Sequence, residues 1–182
     1  MTSILPFDEI NQLEETLRDR FASDKKPKLD ELFEWFVDLF LLSYGRGVEV
    51  TNMNLASDWK PDADEVMATV DKKIAGKTWK DRVKDYYENG GNVDDFVRIV
   101  ETETHRDANT GALSAAKRAG ATTKTWITMM DDRVRDSHDY LLGVTVKIDD
   151  EFYTFDGSHA PAPGMFGVPE EDCNCRCELA FS

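Results

Sequence analysis

The strongest pattern in the chain is a run of apolar residues at helical spacing between residues 29 and 44. Steps of three and four residues place the whole run on one broad face of an α-helix, which has 3.6 residues per turn. A face this wide predicts a central helix buried in the core. Gly45 and Gly47 follow, and because glycine commonly ends helices, we expect the helix to end there. The run consists of Leu29, Leu32, Phe33, Phe36, Val37, Phe40, Leu41 and Tyr44.

Weaker helical patterns with recognisable capping residues predict four more helices before residue 120. Thr78 begins a sequence that resembles a capping box, and Asn92 is a good N-cap with acidic residues in the turn that follows. We expect the last helix to kink near Gly111 and to stop at Gly120. Residues 48–61, after the central helix, predict a connection with a short strand. The four helices are expected over residues 8–22, 62–75, 78–88 and 92–118.

Beyond residue 120 the chain becomes rich in β-branched and aromatic residues, which favour strands. The pair Asp149-Asp150 predicts a tight turn that joins two of these strands into a hairpin. Residues 156–169 are rich in glycine and proline and predict a loop. The strands are expected over residues 122–128, 144–148, 151–155 and 175–181.

These elements predict an α+β fold, in which a helical N-terminal region is followed by a small antiparallel β-sheet in the C-terminal region. We place the helical region at residues 1–91 and a C-terminal domain at residues 92–182. No apolar run approaches the roughly 20 residues needed to cross a bilayer, so no membrane segment is expected. Residues 1–9 contain no basic residue and no long apolar stretch, so we expect no secretory signal.

The net charge of the chain limits its partners. The chain has 36 acidic and 22 basic residues, a formal charge of −14. The last 62 residues carry 12 of the acidic and 5 of the basic residues, so their net negative charge per residue is about twice that of the rest. An acidic surface repels phosphate backbones, so direct nucleic-acid binding is not expected.

Three cysteines lie at alternate positions near the C-terminus, as Cys173, Cys175 and Cys177. Together with His138 and His159 they offer the sulfur and nitrogen ligands that zinc prefers. Structural zinc sites usually separate paired cysteines by two residues, whereas the separation here is one. The spacing therefore favours small residues packed on one face of a terminal strand. A zinc site or a redox pair is the alternative.

A second cluster of polar residues runs from Asp131 to His138. Its arginines can pair with carboxylates and fix a loop, while His138 with Ser137 suggests a base and a nucleophile. Neighbours in sequence rarely converge into a triad, and the chain has no nucleophile elbow or phosphate loop. The pattern therefore favours a structural polar network over catalysis. On the preceding helix, the spacing of Glu103 and Arg106 predicts an ion pair within the protein.

Several short motifs between residues 95 and 180 follow one another in a specific order. They are Thr102-Glu103, Asn109, Ala119-Gly120, Lys124-Thr125-Trp126, the run from Asp132 to His138, Leu142-Gly143, Phe152, Pro161 with Pro163, and Asn174-Cys175-Arg176-Cys177. This ordered set resembles the C-terminal domain of the Mu F-like phage head-morphogenesis family.

That resemblance implies a minor head protein that lies in the head interior or at the portal vertex of a virion. It implies a role in head morphogenesis and in DNA packaging or ejection, with the portal protein as partner and other head proteins or further copies as additional ones. It implies a structural protein without a cofactor, assembled in the host cytoplasm. We predict that the structural polar network consists of Glu103, Trp126, Asp132, Arg133, Arg135, His138, Asn174 and Arg176.

Two other hypotheses make different predictions. An enzyme or toxin delivered with the genome requires an open cleft that exposes His138 or Glu103. A zinc-stabilised interaction module requires a metal held by His138 and the cysteines. In the helical region, a patch around Trp59 and Trp79 is the predicted docking surface.

Overall fold

Two long helices, α2 (Leu29–Leu55) and α5 (Val93–Arg118), lie against each other and organise the fold. The computed structural model describes residues 3–182. Within this range the remaining helices are α1 (Phe7–Ala22), α3 (Ala63–Val70), α4 (Trp79–Glu88) and the one-turn helices α6 (Asp136–Asp139) and α7 (Pro169–Asp172). Their order confirms a helical N-terminal region. None of the helices among residues 3–182 is long and apolar enough to cross a membrane.

Helix α2 does not end at its glycines, contrary to the prediction. It continues through Gly45 and Gly47 to Leu55, so the expected strand within residues 48–61 is also wrong. Gly47 lies where α5 crosses, and a Cβ there would lie 2.9 Å from the backbone nitrogen of Ala112 and closer still to the carbonyl oxygen of Ala108. The glycine therefore allows two helix backbones to touch and is not a terminator.

The N-terminal helices enclose an aromatic core built mainly by α2, α4 and α5. Trp79 is fully buried there, with its ring edge-on to Phe40 at 5.2 Å and to Phe33 at 5.7 Å. The prediction that Trp79 belongs to a docking surface is therefore wrong. Trp59 is half-buried beneath the guanidinium of Arg118. The broad apolar face of α2 is internal, as predicted.

Capping residues set the helix starts as expected. Thr78 and Asn92 each accept hydrogen bonds from the first turns of α4 and α5, and both form capping boxes. Helix α3 is shorter than predicted. It ends at Val70, and Ile74 pairs with Lys77 in an isolated bridge.

The C-terminal part forms two small antiparallel sheets. In the first, β1 (Thr123–Ile127) lies between β2 (Thr145–Lys147) and β5 (Glu178–Phe181). In the second, β3 (Phe152–Tyr153) pairs with β4 (His159–Ala160). The predicted hairpin between β2 and β3 is therefore wrong. Phe152 turns into the core beneath β1, where its ring meets Trp126 at 5.1 Å, and this burial takes β3 away from β2.

Helix α5 connects the two halves of the molecule. Its first turns place Phe96 and Val100 in the helical core, and Leu113 near its end joins the second core. That second core lies between the sheet and the loops, and it contains Leu113, Trp126, Leu141, Phe152, Ala162, Cys175, Cys177 and Leu179. The architecture confirms the predicted α+β class. The boundary between residues 91 and 92 stays a prediction.

Candidate functional site

A buried histidine and two buried cysteines meet inside the C-terminal core. The Nδ1 atom of His138 lies 3.4 Å from Cys175 Sγ and 3.5 Å from Cys177 Sγ. Exposure is 2% for His138, 7% for Cys175 and 3% for Cys177. We refer to these three residues as the thiol–imidazole cluster. The His138 ring stacks on Phe166 at 5.5 Å and meets the edge of Trp126 at 5.3 Å, so aromatic packing fixes its orientation.

A carboxylate lies on the opposite side of the imidazole. Glu171, in α7, is buried and places Oε2 2.9 Å from His138 Nε2. The same oxygen accepts a hydrogen bond of 2.9 Å from Ser137 Oγ and lies 3.9 Å from Arg135 Nη1. His138 is thus held between a carboxylate on one ring nitrogen and two sulfurs on the other.

The pKa values of the two buried thiols, Cys175 and Cys177, are shifted in opposite directions. The neighbouring Cys175 side chain is the main cause of a Cys177 pKa well below its ordinary value. The nearby His138 side chain lowers the Cys177 pKa further, while burial opposes this shift. Burial is the main cause that raises the pKa of Cys175.

The third cysteine lies outside the cluster, and the prediction that all three cysteines share one strand face is wrong. The segment from Cys173 to Cys177 precedes strand β5 and is not part of it, so the three side chains do not share a strand face. Asn174 adopts a left-handed conformation with φ of 57° and turns the chain between Cys173 and Cys175. Within residues 3–182, the side chains close enough to hold one metal ion are those of His138, Cys175 and Cys177, and neither Cys173 nor His159 is among them.

Two arginines connect the segments that carry the cluster. Arg135 donates hydrogen bonds to the carbonyl oxygens of Glu170 and Cys173. Arg176 binds Asp131 through two hydrogen bonds, of 2.8 and 2.7 Å. Bidentate pairs of this kind restrict both partners. The loop before α6 and the segment after α7 are therefore joined on both sides of the cluster.

Three of the predicted network residues remain at the surface. The side chains of Asp132, Arg133 and Asn174 are solvent-exposed and are not brought into the cluster. Trp126 is fully buried, and its ring contacts the imidazole of His138. The predicted residues therefore divide into an interior group around His138 and an exposed group on neighbouring turns.

Glu103 belongs to a second polar network, between the helices. It is 1% exposed and binds Arg82 of α4 and Arg106 of α5, the latter at 2.5 Å, so the predicted pair with Arg106 is present. Arg106 also lies 3.0 Å from Asp107, whose carboxyl is fully buried. Burial raises the pKa of Asp107 to about 7.

His105 and Asn109 link α5 to the thiol–imidazole cluster. His105 Nε2 donates a 2.7 Å hydrogen bond to the Cys177 carbonyl oxygen, and Asn109 Nδ2 donates to the same oxygen at 3.3 Å. Burial lowers the pKa of His105 to about 4, so the ring is neutral near pH 7. The cluster is thereby attached to the central helix through main-chain atoms.

Sequence reasoning missed several residues that build the site. Glu171 and Asp172 stand in a run of acidic residues, which are mostly solvent-exposed in proteins, yet both are buried. Asp172 accepts hydrogen bonds from the backbone nitrogens of Phe166 and Gly167, at 2.9 and 2.7 Å, and so positions Phe166 against His138. Burial raises the pKa of Asp172. Pro169 at the start of α7 was the one sequence signal for a helix there.

The surroundings of the cluster leave little free space. A cavity of about 10 Å³ adjoins it, lined in part by Met129 and by all three cluster residues. This is the room that one water molecule needs. The open cleft required by the enzyme hypothesis is not present at His138, whose side chain is buried. Glu103 is buried as well, but it lines a separate cavity of about 180 Å³ together with Arg82 and Arg106. The arrangement suits structural cross-linking or the binding of a single ion.

Comparison with known proteins gives one family and two partial relatives. The sequence profile of the family described as Phage Mu protein F like protein matches residues 63–180, which confirms the family resemblance. Minor head protein GP7 of Bacillus phage SPP1 is 34% identical over 85 residues, covering 45% of this chain and 28% of GP7. The NAD(+)–arginine ADP-ribosyltransferase EFV of Enterococcus faecalis is 39% identical over 85 residues, covering 44% of this chain and 17% of EFV.

Both matches are therefore partial. The similar segment is less than a third of the length of either relative. No solved structure matches the chain with significant similarity.

Proposed function

This chain belongs to the family Phage Mu protein F like protein, and on that basis we propose that it is a minor head protein of a phage virion. We propose that it binds the portal protein and acts in head morphogenesis and in DNA packaging or delivery. The family match over residues 63–180 carries the proposal. Similarity to a relative named as a minor head protein supports it.

The use of polar side chains in the interior supports a structural role. His138 and Glu103, which an enzyme would need to expose, are 2% and 1% exposed. Each is paired within the protein, His138 with Glu171 and Glu103 with two arginines. Buried groups of this kind hold loops and helices in register, and a virion component needs that rigidity.

The charge of the chain favours a protein partner over DNA. The net charge of −14 opposes contact with a phosphate backbone. Tyr140 and Phe155 form an exposed edge-to-face pair, with ring centroids 6.0 Å apart and 59% and 63% of each residue accessible. Tyrosine and phenylalanine are enriched in protein interfaces. We propose this aromatic pair as part of the portal contact, in place of the predicted Trp59 and Trp79 patch.

The location follows from the partner. A protein bound to the portal would occupy the portal vertex or the adjoining head interior, and it would meet the portal in the host cytoplasm during assembly. Other head proteins and further copies of the chain are additional partners in this proposal. Quantitative mass spectrometry of purified virions measures whether the protein is present and in how many copies.

Co-purification with the portal protein of the same phage tests the proposal. The tagged chain and the portal are co-expressed without other virion proteins and analysed by size-exclusion chromatography with light scattering. We expect co-elution at a fixed ratio. Absence of a complex, together with absence of the protein from purified virions, would refute the minor head assignment.

A pair of surface variants tests the proposed contact. Replacing Tyr140 and Phe155 together by serine removes the exposed aromatic pair, and we expect at least tenfold weaker portal binding with an unchanged melting temperature. Met53→Ser is the matched control, because Met53 lies in helix α2 and is 72% exposed. Equal binding by both variants would exclude the aromatic pair as the contact.

The similarity to EFV motivates a second candidate function, ADP-ribosyl transfer. The full chain is incubated with NAD⁺ labelled on the adenylate phosphate and with host lysate, and label in precipitated protein is counted. Because Glu103 and His138 are buried and paired, we expect no incorporation above the control without the chain. Transfer that depends on the chain would establish the enzyme alternative.

A further inference from the structure

The thiol–imidazole cluster has the geometry of a metal site. Its three ligand atoms all lie within 4.8 Å of one another. In a tetrahedral zinc site with Zn–S near 2.3 Å and Zn–N near 2.0–2.1 Å, nitrogen and sulfur lie about 3.6 Å apart. The distances from His138 Nδ1 to the two sulfurs are 3.4 and 3.5 Å. One ion between the three atoms would therefore reach all of them with little movement.

The carboxylate behind His138 is an independent indication. A histidine that binds a metal through one ring nitrogen almost always gives its other N–H to a carboxylate, a carbonyl or a water, which fixes the ring and its tautomer. Glu171 Oε2 lies 2.9 Å from His138 Nε2 and is itself buried and held by Ser137. A proton on Nε2, next to Glu171, would leave Nδ1 free to bind a metal ion between the sulfurs.

We propose that His138, Cys175 and Cys177 bind one zinc ion, and that Glu171 positions the imidazole. Binding converts both thiols to thiolates and releases their two protons to solvent. The two negative charges balance the ion, so the buried unit is neutral, as a low-dielectric interior requires. The adjoining cavity of about 10 Å³ accommodates one water as the fourth ligand.

The site connects α6 with the segment that precedes β5. These parts meet in the fold but are distant in the sequence, since His138 and Cys175 are separated by 37 residues. A zinc ion would thus fix the path of the C-terminal segment against the sheet. The proposal concerns the C-terminal core alone and does not depend on the proposed role in the virion.

Metal content is measured on the full untagged chain, purified without chelators and analysed by inductively coupled plasma mass spectrometry. We expect about one zinc per chain. Cys175→Ser and Cys177→Ser should lose most of it. Cys173→Ser is the matched control, since Cys173 is the same residue type two positions away and lies outside the cluster, and it should keep its zinc.

A second measurement uses the wild-type chain, so it gives a result even where a cysteine variant fails to fold. The wild-type chain is stripped of metal and titrated with cobalt(II), and a thiolate-to-cobalt charge-transfer band is expected to saturate at about one equivalent. Glu171→Gln keeps all three ligands and should weaken zinc affinity by about 10- to 100-fold. Wild-type protein with neither zinc nor a cobalt band overturns the proposal. Equal zinc loss from Cys173→Ser and Cys175→Ser overturns the ligand assignment.

Discussion

Gly45 and Gly47 are two residues apart in helix α2, and we predict that alanine has opposite effects at the two positions. A Cβ at Gly45 would meet nothing within 4 Å. A Cβ at Gly47 would meet the backbone of α5, 2.9 Å from the nitrogen of Ala112 and nearer to the carbonyl oxygen of Ala108. Real Cβ atoms essentially never approach other atoms this closely, so the two helices would have to move apart.

The magnitudes follow from helix propensity and from the cost of overpacking. Alanine is better than glycine in a helix interior by about 1 kcal/mol, so Gly45→Ala should raise the free energy of unfolding by up to about 1 kcal/mol. Overpacking costs roughly 1–3 kcal/mol or more, and a clash with backbone lies at the upper end. After the gain in propensity, Gly47→Ala should lose about 2 kcal/mol. The two variants should therefore differ by about 3 kcal/mol.

Urea unfolding monitored by circular dichroism measures both free energies. For a chain of this size, about 1 kcal/mol corresponds to roughly 2–4 °C in melting temperature, so a thermal melt gives an independent check. Unchanged m-values would exclude an altered denatured state. If Gly47→Ala is as stable as Gly45→Ala, the helices do not cross at Gly47 as described, and the explanation for the length of α2 fails.

Three further variants test the buried and exposed charges. The pKa of Asp107 is raised to about 7, so the folded state loses stability as pH rises from about 4 through 7. The pKa of His105 is lowered to about 4, so the folded state gains stability as pH rises from about 4 to 6.5. The two trends largely cancel in the wild type, so Asp107→Asn should unmask a rise of about 3 kcal/mol between pH 4 and 6.5 in urea unfolding, and a flat profile would contradict the assignment. Glu103→Gln leaves two arginines without their carboxylate and should cost about 3–5 kcal/mol in the same assay, so a loss below about 1 kcal/mol would count against a buried ion pair. Asp131→Asn breaks a pair with Arg176 that is partly solvent-exposed, and a melt should show almost no change in melting temperature, with a clear drop indicating a more buried contact.

The helices were predictable because their signals are local. Capping residues such as Thr78 and Asn92 act within one turn, and the apolar face of α2 is visible in its spacing alone. The end of α2 was not predictable in the same way. Whether Gly47 ends a helix or admits a neighbouring backbone depends on which helix crosses there, and that partner is more than 60 residues away in sequence.

The site was predictable in its residue types and not in its contacts. His138 and the cysteines were identified as candidates, but the left-handed turn at Asn174 decides which cysteines face the imidazole. Glu171 gave no signal, since a buried carboxylate and a surface one look alike in a run of acidic residues. Its role depends on α7 lying against α6, which is a tertiary event.

The helix crossing and the thiol–imidazole cluster depend on the same stretch of α5. Ala108, which contacts Gly47, lies between His105 and Asn109, and those two residues hold the carbonyl oxygen of Cys177. A shift of α5 that relieves a clash at Ala108 must therefore also move the donors that fix Cys177. Because α5 contributes to both hydrophobic cores, neither half of the molecule can rearrange at this helix without disturbing the other. The central helix thus couples the helical region to the C-terminal site through packing on one face and hydrogen bonds on another.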